Sequence, residues 1–258
     1  MLMINKAVIT AAGLGTRMRN MTLIMPKALL PLIRRNDSAA LVPIIDLIIM
    51  KLQEVGVSKF MIVVGRNGRP LIDYLMDKVF TDSIRARISF TFQERPLGFG
   101  DAVLRAEDFV NTDPFFVHAD DGILTMGYLE GVKLYDELRP DVVLFLRRVN
   151  NPSRYGIAIA RDEGSFNGFR LVRILDVEEK PSNPRSDIAI SAVYIFNRKI
   201  IEGLRAVKAG GELELTYGIK NVIDGGGEAY GLLLGNDSWL NVGSVEDYFN
   251  SMVRTFKS

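Results

Sequence analysis

The chain has 258 residues, with 32 Lys and Arg against 31 Asp and Glu, one His and no Cys, and a formal net charge of +1. That length can bury a large core and lies between one big α/β domain and two small ones. Balanced charge provides no global field toward nucleic acid or an acidic membrane, the absence of Cys excludes disulfides and thiolate sites, and the lone His118 excludes any centre needing two imidazoles.

The apolar run Ala7-Val8-Ile9-Thr10 predicts a buried first strand, and it begins too early for the charged, apolar and cleavable regions of a signal peptide. Residues 44–55 carry apolar side chains at helical spacing, with Pro43 at a first-turn position and Gly56 as a stop. The longest apolar stretch, 41–50, contains Pro43 and Asp46 and is too short to span a bilayer. The expectation is a cytoplasmic protein with no membrane or nucleic-acid partner.

Strand 60–64, helix 70–80, strand 88–92, a short helix over 100–107 and strand 115–118 follow, the last ending in Asp120-Asp121. Helix 127–138 and strand 142–146 come next. Fully apolar strands alternating with helices predict an α/β fold, a mixed, mostly parallel sheet covered on both faces. After Arg147 the rhythm changes: 155–160, 169–177 and 188–196 read as strands without helices between them, before helices at 199–207, 216–223 and 244–256. No linker, low-complexity tract or repeat interrupts the chain, so one domain over 1–258 is expected, its halves at about 1–147 and 148–258 sharing a sheet.

The first strand leads into Ala11-Ala12-Gly13-Leu14-Gly15-Thr16-Arg17-Met18, and Lys27 follows ten residues after Arg17 in Pro26-Lys27-Ala28-Leu29-Leu30-Pro31. A glycine-rich turn leaving a strand lets backbone N–H groups approach an anion, and two nearby cations suit phosphate oxygens. This is the pattern of a polyphosphate cradle. A dinucleotide-binding turn needs a third glycine where Met18 stands, and a Walker loop needs a Gly-Lys-Ser/Thr that is absent.

On these residues the chain resembles the sugar-1-phosphate nucleotidyltransferases, and among them the bacterial-type UTP–glucose-1-phosphate uridylyltransferases. Their motif runs Gly-x-Gly-Thr-Arg, a short spacer, Pro-Lys and Leu-Pro. The resemblance implies a Rossmann-like nucleotidyltransferase (GT-A-like) fold in which a sugar-1-phosphate oxygen attacks the α-phosphorus of a nucleoside triphosphate and pyrophosphate leaves. It implies that Ala12, Gly13, Leu14, Gly15 and Thr16 bind the triphosphate with Arg17, and that Lys27 neutralises charge at the reacting phosphoryl groups. Catalysis by positioning and charge stabilisation is what phosphoryl transfer requires.

Gln93 matches the family's base-reading Gln, whose amide offers a donor and an acceptor to a pyrimidine edge, and Gly98 its close-approach glycine. Uracil and thymine share that edge, so UTP is favoured with dTTP as the alternative. Asp120 matches the first Mg²⁺ ligand, while Asp121 is expected on the opposite side of a continuing strand. His118 is expected to be a packing or hydrogen-bonding residue. In the second half Tyr155 and Gly156, then Glu179 and Lys180 of Glu-Lys-Pro, match the positions that bind the sugar and its phosphate, with glucose-1-phosphate favoured, and residues 211–216 follow the family order.

Three positions depart from the pattern. Asn241, in Trp239-Leu240-Asn241-Val242-Gly243, replaces the second metal-binding Asp, with nearby Asp237 as a candidate source of the missing charge. Ala192 replaces a glycine beside the sugar, and Tyr217 replaces an Asp. The resemblance therefore implies an Mg²⁺-dependent transferase acting on a pyrimidine nucleoside triphosphate and a sugar-1-phosphate. The departures support the alternative of a catalytically weak nucleotide- or nucleotide-sugar-binding regulatory homologue. Either reading accommodates a homo-oligomer.

Overall fold

The computed structural model describes residues 4–18, 20–35, 39–207 and 210–257. Strand β1 (Lys6–Ala11) is buried throughout and leads, through the short helix α1 (Met21–Ile24), to an antiparallel pair, β2 (Pro31–Arg35) and β3 (Ala39–Pro43). Helix α2 (Ile44–Glu54), β4 (Lys59–Val64), α3 (Arg69–Phe80) and β5 (Arg87–Phe92) then alternate. Helices α4 (Phe99–Leu104) and α5 (Glu107–Val110), β6 (Phe115–Ala119), β7 (Gly122–Leu124), α6 (Tyr128–Leu138) and β8 (Val142–Arg148) complete the first half. The second half holds β9 (Gly156–Phe166), β10 (Phe169–Glu179), β11 (Ile188–Phe196), α7 (Lys199–Arg205), α8 (Leu215–Asp224), β12 (Ala229–Leu233), β13 (Trp239–Asn241) and α9 (Val245–Lys257).

Nine strands form one mixed central sheet in the order β5-β4-β1-β6-β11-β8-β12-β10-β9. Strands β5, β4, β1 and β6 are parallel. β11 then lies antiparallel between β6 and β8, and β12 pairs parallel with β8. β11 comes from the second half of the sequence yet sits between two strands of the first, so neither half owns the sheet. Irregular register in β10 bends the β9–β10 pair, and one pairing, Ala189 with Ile157, returns β9 to β11.

Two apolar clusters cover the faces. Ala7, Ile9 and Ala11 of β1 join α2, α3 and α6 on one face, while Val8 joins α4, α7 and α8 on the other, as strand alternation requires. In α2 the residues Ile44, Ile45, Ile48, Ile49 and Leu52 make one buried stripe after Pro43. No helix among the described residues is long and apolar enough to cross a membrane.

The expected helix over 100–107 is two pieces, because the chain turns at Arg105 and Ala106. Strands β2, β3, β7, β12 and β13 were not foreseen. β12 reads Ala-Tyr-Gly-Leu-Leu, and its Gly231 weakens the strand signal, yet a Cβ there would stand 2.4 Å from Leu146 Cδ1 of β8. The small residue is a packing requirement between two strands.

Candidate active site

β1 and β6 are adjacent, but their crossovers go opposite ways: β1 continues to β4 on one side, and the chain returns to β6 on the other. In an open α/β sheet such a switch point leaves a crevice at the carboxyl ends of the strands, where ligands bind. Strands β1, β4, β5, β6 and β8 all point their carboxyl ends to that edge. They deliver residues 12–17, Gly65, Gln93, Asp120-Asp121 and Arg147 respectively.

The turn after β1 has the freedom that its glycines predict. Gly13 has open space where a Cβ would stand, so its backbone is approachable. Gly15 adopts φ +64°, and a Cβ would meet Thr22 Cγ2 at 2.6 Å. Arg17 lies in a single 3₁₀ turn, Thr16–Met18, closed by the Met18 N–H donating to the Gly15 carbonyl at 2.8 Å. Lys27 opens another 3₁₀ turn and is buried.

Lys27 and two carboxylates form the centre of the crevice. Lys27 Nζ stands 3.2 Å from Asp121 Oδ2 and 4.0 Å from Asp120 Oδ1, and the Arg17 guanidinium lies 3.9 Å from Asp121. Burial opposes the Lys27 charge, but Asp121 and Asp120 outweigh it and hold the ammonium above its usual pKa. Burial pushes Asp120 up to about 6 against the pull of Lys27. Burial also penalises Asp121, yet Lys27 and Arg17 prevail and hold that carboxyl below the usual range. The expectation that Asp121 faces away is corrected: β6 ends at Ala119, the chain turns at 120–121, and both carboxylates face the crevice.

His118 is fully buried and fully partnered. Its Nδ1–H donates to the Ala119 carbonyl at 2.7 Å, and its Nε2 accepts from the Tyr128 hydroxyl at 2.8 Å, which itself accepts from the Leu124 N–H. A carbonyl only accepts, so this tautomer follows from the partners. Burial pushes the imidazole down to about 4, and it is neutral near pH 7.

Asp120, Lys27, Gln93, Gly98, Ala12 and Gly13 line one cavity, and Tyr155, Gly156, Glu179, Lys180, Arg17 and Asn241 line a second. The two share Phe99, Ala119, Asp121 and Glu214, so a molecule in each would meet at the Asp121 wall. Exposed Leu14 flanks the cradle on the side of Gly65–Gly68 loop residues rather than in these two cavities.

Gln93 differs from expectation. Its amide nitrogen donates to the Gly98 carbonyl at 2.9 Å and to Asp101 at 2.8 Å, which occupies both N–H groups and leaves only Oε1 to accept from a ligand. Gly98, at φ +102°, is required by the chain itself, since a Cβ would lie 2.4 Å from the Leu213 carbonyl oxygen. The Leu213 N–H donates to Leu97, and its carbonyl accepts from the Gly100 N–H, both at 2.7 Å. The 211–216 segment thus clamps the base-side turn.

The same segment builds the second cavity. The Thr216 hydroxyl donates to Glu179 at 2.9 Å, and Lys180 Nζ lies 2.7 Å from Glu179 and 3.3 Å from Glu214. Burial disfavours the Lys180 charge, and the two glutamates reverse that. Tyr217, in the first turn of α8, lies outside both cavities and faces a third with Leu97 and Glu212.

The Asn241 amide is anchored at both ends: Nδ2 donates to Asp247 at 2.9 Å, and Oδ1 accepts from the Gly243 N–H at 2.9 Å. Asp237 does not serve as the substitute carboxylate, because its side chain is 97% exposed beside Arg254. The carboxylate behind Asn241 is Asp247. Asp120 and Asp121 offer carboxylate oxygens of the kind Mg²⁺ takes, and Asn241 lines the neighbouring cavity on the Asp121 side. No group of three or more Asp, Glu, His or Cys among the described residues forms a cage, and Mg²⁺ characteristically takes one or two carboxylates and completes its shell from water and substrate phosphate. The residues fit the ion.

Sequence reasoning missed Arg147, Arg154 and Ser191, all in the second cavity. Arg147 had a signal: it is the charged residue that ends the apolar run of β8 at the ligand edge.

A fold and site of this kind define a nucleotide-transferring enzyme family, and comparison with known proteins agrees. Residues 6–258 match the model described as nucleotidyl transferase, and the chain belongs to that family. It is 31% identical to UTP–glucose-1-phosphate uridylyltransferase YngB of Bacillus subtilis, over 85% of this chain and 79% of that protein. It is 29% identical to a glucose-1-phosphate thymidylyltransferase of Streptomyces griseus, over 94% of this chain. The chain spans 63% and 64% of the length of two Streptomyces thymidylyltransferases that it matches. A solved UDP-glucose pyrophosphorylase complexed with UDP-glucose superposes with a TM-score of 0.84 at 25% identity, over 99% of both chains.

Proposed function

We propose that this chain transfers a nucleotidyl group from UTP, or from dTTP, to a sugar-1-phosphate, with glucose-1-phosphate as the reference acceptor. The observation that carries the reading is the shared wall. A cavity bounded by the glycine turn and Gln93 meets a cavity bounded by Glu179 and Lys180 at Asp121, beside Lys27. The names of the relatives support the pairing of a pyrimidine nucleotide with glucose-1-phosphate.

In this reading an acceptor phosphate oxygen forms a bond to the α-phosphorus while the bond from the α-phosphorus to the bridging oxygen breaks, and pyrophosphate carries away the electron pair. The acceptor phosphate is already ionised near neutral pH, with a second pKa of about 6, so the attack requires no general base. The turn amides hold the triphosphate, Arg17 meets its phosphates from the second cavity beside Asp121, Lys27 offsets charge where it accumulates, and Glu179 with Lys180 orients the sugar-1-phosphate. Asp120, Asp121 and Asn241 would hold Mg²⁺, which supplies charge neutralisation at the phosphate oxygens.

The test is pyrophosphate release from UTP or dTTP with a panel of sugar-1-phosphates in Mg²⁺. Turnover with at least one pair, abolished by EDTA and restored by Mg²⁺, is expected. Absence of turnover with every pair overturns the reading. A second reading, a catalytically weak nucleotide-binding homologue, is favoured by the Asn241 amide standing where a carboxylate is expected. Nucleotide-dependent thermal stabilisation without turnover would establish it.

A further inference from the structure

Two of the four cations that line the second cavity make no ion pair with its carboxylates, Asp121, Glu179 and Glu214. Its four cations are Arg17, Arg147, Arg154 and Lys180. Arg17 faces Asp121, and Lys180 is paired with Glu179 and Glu214. Arg147 and Arg154 have no carboxylate partner among the described residues.

Arg147 is also held in place. Its guanidinium carbon lies 4.8 Å from the centroid of the Tyr155 ring, and its Nε is buried with no hydrogen-bond partner. Ser191 is fully buried, lines the same cavity, and its hydroxyl is likewise unpartnered. Buried polar atoms are nearly always hydrogen-bonded, so two orphans among the residues that line one cavity are exceptions to the rule.

The backbone explains why these groups converge. The register of β11 against β8 shifts between Ile190 and Tyr194, and Ala192 takes φ +49° within that irregularity. Ile190, Ser191 and Ala192, consecutive in a strand, consequently all line the cavity, which regular alternation forbids. None of Arg147, Arg154 or Ser191 lines the nucleotide cavity.

We infer that the acceptor is a sugar-1-phosphate bearing a second anionic group on the sugar, recognised by Arg147 and Ser191 with Arg154. This inference rests on the sugar-1-phosphate reading of the cavity. A guanidinium fork and a hydroxyl suit a planar carboxylate, such as that of a hexuronic acid 1-phosphate, and they also accept a phosphoryl oxygen. The shared chemistry is an anion on the ring, additional to the 1-phosphate.

The test uses binding as well as turnover. The full chain is titrated calorimetrically with glucose-1-phosphate, glucuronic acid 1-phosphate and glucose-1,6-bisphosphate, and the same acceptors are assayed with UTP and dTTP. At least one doubly anionic acceptor is expected to bind tenfold or more tightly than glucose-1-phosphate, and which one it is identifies the anion as carboxylate or phosphate. Arg147→Met is expected to lower that preference ratio at least tenfold, with Ser191→Ala lowering it by a smaller factor. Equal or better binding of glucose-1-phosphate, or a ratio unchanged in Arg147→Met, overturns the inference. Selective binding without turnover defeats the catalytic reading alone, because the ratio is read from binding.

Discussion

His118 and Asn241 are each fixed by hydrogen bonds at both ends of the side chain. His118 is satisfied by Ala119 and Tyr128 and remains neutral, its pKa lowered to about 4 by burial. The unfolded chain binds its proton near pH ~6.5 and the native chain only near 4, so the stability from the neutral imidazole is complete above ~6.5 and is lost as pH falls toward 4. Chemical denaturation at pH 7 and pH 4.5 is expected to differ by about 2 kcal/mol from this group, and His118→Gln is expected to flatten that part of the slope. At Asn241, Asn241→Asp sets a carboxylate against Asp247, now a hydrogen-bond acceptor 2.9 Å away. Without metal the variant is expected to lose about 1–3 kcal/mol through like-charge repulsion and the lost hydrogen bond. Mg²⁺ should raise its melting temperature more than that of the parent chain, and turnover should rise as well. Thermal melts with and without Mg²⁺ check this.

At the scale of elements, two irregular segments shape the cavities. In β11 an alanine occupies φ +49°, a conformation costing about 1 kcal/mol or more for a residue with a Cβ. Ala192→Gly is expected to stabilise the chain by roughly 0.5–1 kcal/mol in urea titrations, and it removes the methyl that lines the sugar cavity. The turn before α4 is the opposite case, since Gly98 combines φ +102° with Leu213 against its missing Cβ. Gly98→Ala should cost about 2 kcal/mol or more, and by loosening the turn that holds Gln93 it should raise the nucleotide KM more than it lowers kcat. Denaturation and steady-state kinetics on the same preparation separate the two effects.

For the whole molecule, the insertion of β11 between β6 and β8 is decisive. Removing it from the sheet leaves both neighbours with open edges and strips the apolar faces of Phe115, Phe116 and Leu144. A fragment of residues 1–147 is therefore expected not to fold, giving neither dispersed amide NMR signals nor a cooperative melt, although it contains the whole glycine turn, Lys27, Gln93 and Asp120. Helix α9 completes the site from the far end of the chain. The Ser251 hydroxyl donates to the Asn241 carbonyl at 2.7 Å, and the Tyr248 hydroxyl donates to that of Pro31 at 2.9 Å.

The sequence alone determined the alternating architecture, the buried strands, the glycine turn with Arg17 and Lys27, and the order of the site motifs along the chain. Those properties are local: they depend on side-chain period, on glycine's access to positive φ, and on charge within a short segment. It was blind to β12 and β13, because three-to-five-residue strands form only when neighbours complete their hydrogen bonds. The roles of Asp121, Gln93 and Asp247 were decided by tertiary structure. The turn after β6 re-aims Asp121, Asp101 takes the Gln93 donor, and α9 brings Asp247 behind Asn241. That Arg147 and Arg154 have no carboxylate partner among the described residues was equally invisible, since whether a charge has a partner depends on contacts made across the fold.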